Sequence, residues 1–128
     1  MVKLVMIFNE ALNMPMGKLA VQAGHAVQLA IQNNMTKYPE QAHVILLKLK
    51  QPFVEWYKSD LKKKIALKVD SHEELINIQK KAEDNDLVVS PVIDAGLTFF
   101  EEPTLTCIAI GPDLSYNIDQ VTRGLSLL

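Results

Sequence analysis

The 128-residue chain has one cysteine, one tryptophan and one arginine, and no apolar run approaching the roughly 20 residues that cross a bilayer. Each shortage excludes something. A lone Cys107 rules out a disulfide framework and a cysteine zinc site, and it points to a reducing, cytoplasmic setting. Because it lies inside the apolar run Leu105 to Ile110, Cys107 reads as a small core residue and not as a nucleophile. The opening run Met1 to Phe8 is too short for a signal peptide, and Asn9-Glu10 follows it directly. Three histidines, at 25, 43 and 72, fall in different elements without ligand spacing, so neither a metal nor another cofactor is expected. A formal net charge of −2 and the single Arg123 leave few of the bidentate grips that hold phosphate.

What is present suits an ordinary globular α/β protein. With 48% hydrophobic and 22% charged residues, no internal repeats and no low-complexity tract, residues 1–128 read as a single domain. Such a length buries about 65% of the unfolded surface. Lys3 to Phe8 reads as a first strand, and Asn9 to Pro15 as a loop. A helix is expected from about Gly17 to Asn33, with small residues Ala20, Ala23, Gly24 and Ala26 letting it lie close to a sheet. On that helix Lys18, Gln22 and His25 fall at i, i+4 and i+7, one polar stripe.

A second helical region runs from Lys37 to Asp60, with the apolar stripe Val44, Ile45, Leu47 and Leu49 and a restart at Pro52. Phe53, Trp56 and Tyr57 then read as packing aromatics, and Lys58, Lys62, Lys63 and Lys64 as a basic run leading into a strand from Lys64 to Val69. Ser71-His72-Glu73-Glu74 has the form of a capping box opening a helix to about Asn85, which leaves His72 exposed in its first turn. Strands Leu87 to Asp94 and Leu105 to Gly111 follow, then a short helix, Asn117 to Arg123, closed by Gly124. The order β-α-α-β-α-β-β-α implies a mixed four-stranded sheet with helices on both faces.

The stretch Asp94-Ala95-Gly96-Leu97-Thr98, with Thr106 beyond the next loop, sets a carboxylate and two hydroxyls at the ends of neighbouring strands. Taken alone, Asp94 reads as a turn cap, Thr98 and Thr106 as strand-end residues, and His25 as a packing histidine. Several blocks together say more. Gly17-Lys18-Leu19-Ala20-Val21-Gln22-Ala23-Gly24-His25-Ala26, Lys64 to Val69, Asp94 to Thr98, Thr104-Leu105-Thr106, Ala109-Ile110-Gly111-Pro112 and Ile118 to Thr122 stand in the order seen in type II peptidyl-tRNA hydrolases. The chain resembles that family over nearly its whole length.

The resemblance implies a compact α/β fold, a homodimer, and hydrolysis of the ester joining a peptide to the terminal ribose of tRNA. It implies Lys18, Asp94, Thr98 and Thr106 as catalytic positions, with Gln22 and His25 at the substrate. Lys64 matches a second essential lysine, with Lys62 and Lys63 as alternatives. In ester hydrolysis, Asp94 is suited to orient or deprotonate water, Lys18 and Lys64 to stabilise negative charge, and the threonines to position water or ribose hydroxyls. No Ser-His or Cys-His arrangement suggests a covalent route.

The chain departs from the family pattern beside these positions. Met16 stands where a glycine-lysine stretch usually runs, Leu97 and Phe99 replace an arginine and a glutamine, and Glu101 and Glu102 add negative charge. Two other readings follow from this: an esterase with a different substrate, or a non-catalytic binding or assembly protein whose cleft Phe99 or Met16 would plug.

Overall fold

The computed structural model describes residues 1–35 and 49–128. The expected helical stripe of Val44, Ile45 and Leu47, with His43 and Lys48, lies outside the described residues.

Strand β1, Val2–Asn9, is the centre of the sheet, and all eight of its residues are buried. Its sequence is apolar at nearly every position rather than at alternate ones, so both faces must be covered. It pairs in parallel with β2, Lys64–Val69, and antiparallel with β4, Thr104–Leu114. Strand β3, Val89–Asp94, pairs antiparallel with the far side of β4. The sheet has five strands, not the expected four, in the order β3-β4-β1-β2-β5. The extra strand, β5, is Ser126–Leu127, and it pairs antiparallel with Leu67 and Lys68 of β2. Two exposed residues are too short a run to show a strand period, so only the pairing reveals them.

Four described helices cover the two faces. Helix α1, Met16–Met35, and helix α2, Gln51–Lys58, lie on one side. There Leu4, Met6 and Phe8 of β1 pack with Ala26, Ala30, Trp56, Val92, Cys107 and Ala109. Helix α3, His72–Asp84, and helix α4, Ser115–Thr122, lie on the other, where Val5 and Ile7 meet Leu75, Ala82, Ile118 and Val121. Among the described residues no helix is long and apolar enough to cross a membrane.

The local signals act as elementary chemistry requires. Pro52 sits in the first turn of α2, where its missing N–H costs nothing, and Phe53 and Trp56, three residues apart, are both buried. The Trp56 indole donates to the Lys63 carbonyl at 2.8 Å. At α3, the Ser71 hydroxyl accepts from the Glu74 N–H at 3.1 Å, and the Glu74 carboxylate accepts from the Asp70 N–H at 3.0 Å. Helix α4 begins at Ser115, two residues before the expected Asn117.

Helix α1 approaches the sheet along Gln22, Ala26, Ala30 and Asn34, its four buried residues, spaced one turn apart. Alanine at this contact sets how closely helix and sheet meet. Ala30→Leu is therefore expected to lower the unfolding free energy by about 1–3 kcal/mol through overpacking. Val21→Leu, on the exposed face of the same helix, should change it by no more than about 0.5 kcal/mol; urea titration compares the two.

Candidate active site

At the N-terminal end of α1, Lys18 and Gln22 continue the same one-turn row that carries Ala26 and Ala30. Both reach the end of β3. The Lys18 ammonium donates to Asp94 Oδ2 at 2.7 Å and to the Thr98 hydroxyl at 3.1 Å, and the Gln22 amide donates to the same Oδ2 at 3.2 Å. The other carboxylate oxygen, Oδ1, accepts from the Gly96 N–H at 2.9 Å. Asp94 thus caps its own turn and also receives α1, two uses that read as alternatives in the bare sequence.

Gly96 makes this loop possible. Its φ is +80°, and a Cβ there would lie 2.4 Å from the Glu102 backbone carbon. Only glycine lets the chain fold back so tightly, and that return brings Thr98 to Lys18.

Thr106 reaches the site by a break in strand pairing. Val92 lies opposite Cys107 and Ile93 opposite Leu105, so Thr106 between them has no partner on β3. This bulge turns Thr106 toward α1, although strict alternation would set it on the opposite face from Cys107. Its hydroxyl donates to Gln22 Oε1 at 2.6 Å, with the Val92 carbonyl at 3.3 Å. The Gln22 orientation follows: a carboxylate only accepts, so the amide nitrogen faces Asp94 and the oxygen is left for Thr106. Gln22 and Thr106 are both fully buried.

The electrostatics agree. The Lys18 hydrogen bond, then the Gly96 N–H, hold the Asp94 carboxyl below its ordinary value of 3.8; partial desolvation opposes them, and the Lys18 charge and Gln22 amide add to them. Beside it, burial pushes the Cys107 thiol up to about 12, so it stays protonated at neutral pH. Its sulfur lies 3.9 Å from the Gln22 carbonyl oxygen, a packing position.

Five of the expected site residues therefore meet: Lys18, Gln22, Asp94, Thr98 and Thr106. His25 does not join them. It is exposed, one turn beyond Gln22, on a groove beside Val92 and Ile93. Lys62, Lys63 and Lys64 are at the opposite end of the sheet. Lys64 pairs with Leu4 at the start of β1, about six residues or roughly 20 Å along the strands from the level of Asp94. Its ammonium donates to the Lys62 carbonyl at 2.9 Å and lies 5.3 Å from the centre of the Trp56 ring. The β2 lysine near the Asp94 end is Lys68, level with Phe8, Cys107 and Val92 and paired with Glu10 at 3.0 Å. Counting by two from Lys64 puts Lys68 on the same face, and that period is the signal that finds it.

Phe100 is the other residue the sequence did not single out; its ring centre lies 5.9 Å from the Lys18 ammonium. Phe99 packs edge-on against it, with centroids 5.0 Å apart. Met16 and Leu97 are each 87% exposed and Phe99 45%, so none of them is buried over the Lys18–Asp94 pair. Among the described residues no group of three or more histidine, cysteine or acidic side chains could hold a metal ion.

Two outcomes follow from this geometry. Asp94 has a depressed pKa in the folded state, so its stabilising contribution is complete above the unfolded value and fades as pH falls through the lower folded one. The stability difference between wild type and Asp94→Asn should hold constant from pH 8 to 5 and shrink only in the acid range below 3.8, as followed by denaturation at each pH. Gly96→Ala should cost about 1–3 kcal/mol from its left-handed backbone alone, with more from the Glu102 overlap, measured by urea unfolding.

Comparison with known proteins gives the family and agrees with the fold. The family model for peptidyl-tRNA hydrolase PTH2 matches residues 2–128. A peptidyl-tRNA hydrolase of Methanocaldococcus jannaschii is 36% identical, covering 98% of this chain and 99% of its own. One from Nanoarchaeum equitans is 39% identical, covering 99% of each. In fold alone, a protein of unknown function from Agrobacterium tumefaciens strain C58 superposes with a TM-score of 0.53 at 12% identity, over 99% of this chain and 97% of that one. Matched by a family model from residue 2 to its last residue, and by relatives over nearly their full lengths, the chain belongs to the peptidyl-tRNA hydrolase PTH2 family.

Proposed function

We propose that the chain hydrolyses the ester joining a peptide to the terminal ribose of tRNA, with Asp94 and Lys18 as its catalytic pair. The observation that carries this reading is the convergence of Lys18, Gln22 and Thr98 with the Asp94 carboxylate at an open edge of the sheet. Family membership supplies the substrate class.

Asp94 is ionised at neutral pH, and its lowered pKa makes it a weak base. Its work is to accept a hydrogen bond from the attacking water, aim it at the ester carbonyl and take up its proton as the water oxygen bonds to the carbon, that proton passing to the ribose oxygen as the ester C–O bond breaks. The Lys18 ammonium, already anchored by Asp94 and Thr98, lies where negative charge grows on the carbonyl oxygen. Thr98 is exposed and free to meet substrate, while Thr106 is buried and acts as a positioning residue through Gln22. A thiol titrating near 12 leaves Cys107 out of the reaction.

In this reading the basic run has a different part. Lys62, Lys63 and Lys64 are too far from Asp94 to stabilise the oxyanion, and they serve as contacts for the tRNA body instead. The reading carries with it a single domain over residues 1–128, a homodimer and a cytoplasmic setting, the dimer being checked by light scattering for twice the chain mass.

Peptide release from N-acetylaminoacyl-tRNA tests the proposal. Lys18→Ala and Asp94→Ala should each lower kcat by about 100- to 1,000-fold, and Thr106→Val by a smaller factor of about ten. A folded wild type that releases nothing at low salt, where phosphate contacts are strongest, sinks the reading.

A further inference from the structure

A groove of about 250 Å3 opens beside the Lys18–Asp94 pair, between α1 and the edge strand β3, lined by His25, Gln28, Leu29, Gln32, Val92 and Ile93. It adjoins the site along both walls: His25 follows Gln22 by one turn, and Ile93 immediately precedes Asp94. No lysine, arginine or acid lines it, so it lacks the cationic groups from which phosphate binding draws its affinity. What it offers is two side-chain amides, each able to donate and accept, above an apolar floor. Among the described residues neither amide has a hydrogen-bond partner, and the outer edge of β3 pairs with no strand. Ile93 is 66% exposed here, an uncovered apolar side chain next to the reacting carboxylate.

We propose that this groove binds the peptidyl part of the substrate, its last three residues lying extended along α1 with their C-terminal ester carbonyl at Asp94. The dimensions suit it. His25 to Gln32 spans about 10 Å of helix, the length of three extended residues. Gln28 and Gln32 hydrogen-bond the peptide groups, and Leu29, Val92 and Ile93 receive a side chain.

The inference rests on the hydrolase reading, and the test separates the two. Wild type and the variants Gln28→Ala/Gln32→Ala and Gln32→Trp are compared on N-acetylaminoacyl-tRNA and on an N-acetyltripeptidyl-tRNA with the same final amino acid. The wild type should show kcat/KM about tenfold higher for the tripeptidyl substrate, the order expected of one or two net hydrogen bonds. In both variants that ratio should fall toward one. Equal wild-type rates on the two substrates overturn the inference and leave the hydrolase reading standing. A length preference unchanged in both variants, or variants that slow both substrates equally, also overturns it, the latter giving the groove to the tRNA end. Release from neither substrate overturns both readings.

Discussion

The Asp94 carboxylate is the constraint on which the site depends. Its two oxygens receive an ammonium and an amide from α1 and a backbone N–H from its own loop. A carboxylate accepts hydrogen bonds and offers none, so each group around it must present a donor. That requirement propagates outward. It fixes the Gln22 amide, the amide requires a donor on its far side, and the Thr106 hydroxyl supplies it. Asp94 thereby links a helix end, its own loop and, through Gln22, a strand bulge.

This network exists because α1 lies low on the sheet. Ala26 and Ala30 keep helix and strands close, and the same one-turn row delivers Gln22 into full burial and Lys18 to its border. A buried glutamine is costly unless satisfied, and here its amide nitrogen and oxygen both have partners. Beneath it Cys107 fills space as a protonated thiol. Placing the pair at the end of an edge strand leaves one side open, which a site deeper between β1 and β4 would not have. The central strand provides rigidity and the edge provides access.

The departures from the family pattern acquire a location as well. Leu97 and Phe99 stay exposed on the loop that returns Thr98 to Lys18, and Phe100 sets its ring beside the ammonium. The loop therefore keeps its hydrogen-bonding task while presenting an apolar and acidic surface in place of a basic one.

Much of this was legible in the order of residues. An apolar run marks β1 as a strand, a serine with glutamate three residues on marks the start of α3, and spacing by four puts Lys18 and Gln22 on one row. These are local rules, acting over a few residues, and a sequence displays them directly. The five-stranded sheet, the position of Lys64 and the route of Thr106 were not legible. Each depends on which residues face one another across strands: β5 exists only through its pairing with β2, Lys64 is remote only by its register with Leu4, and Thr106 turns inward only because β4 carries one residue more than β3 at that point. Register is an agreement between distant segments, settled by burying both faces of β1 at once. The sequence by itself determined the longer elements, the family and the types of residue that meet at Asp94. The tertiary structure decided which of those residues share one carboxylate, because only packing brings Lys18 and Gln22 against a carboxylate 76 and 72 residues further along the chain.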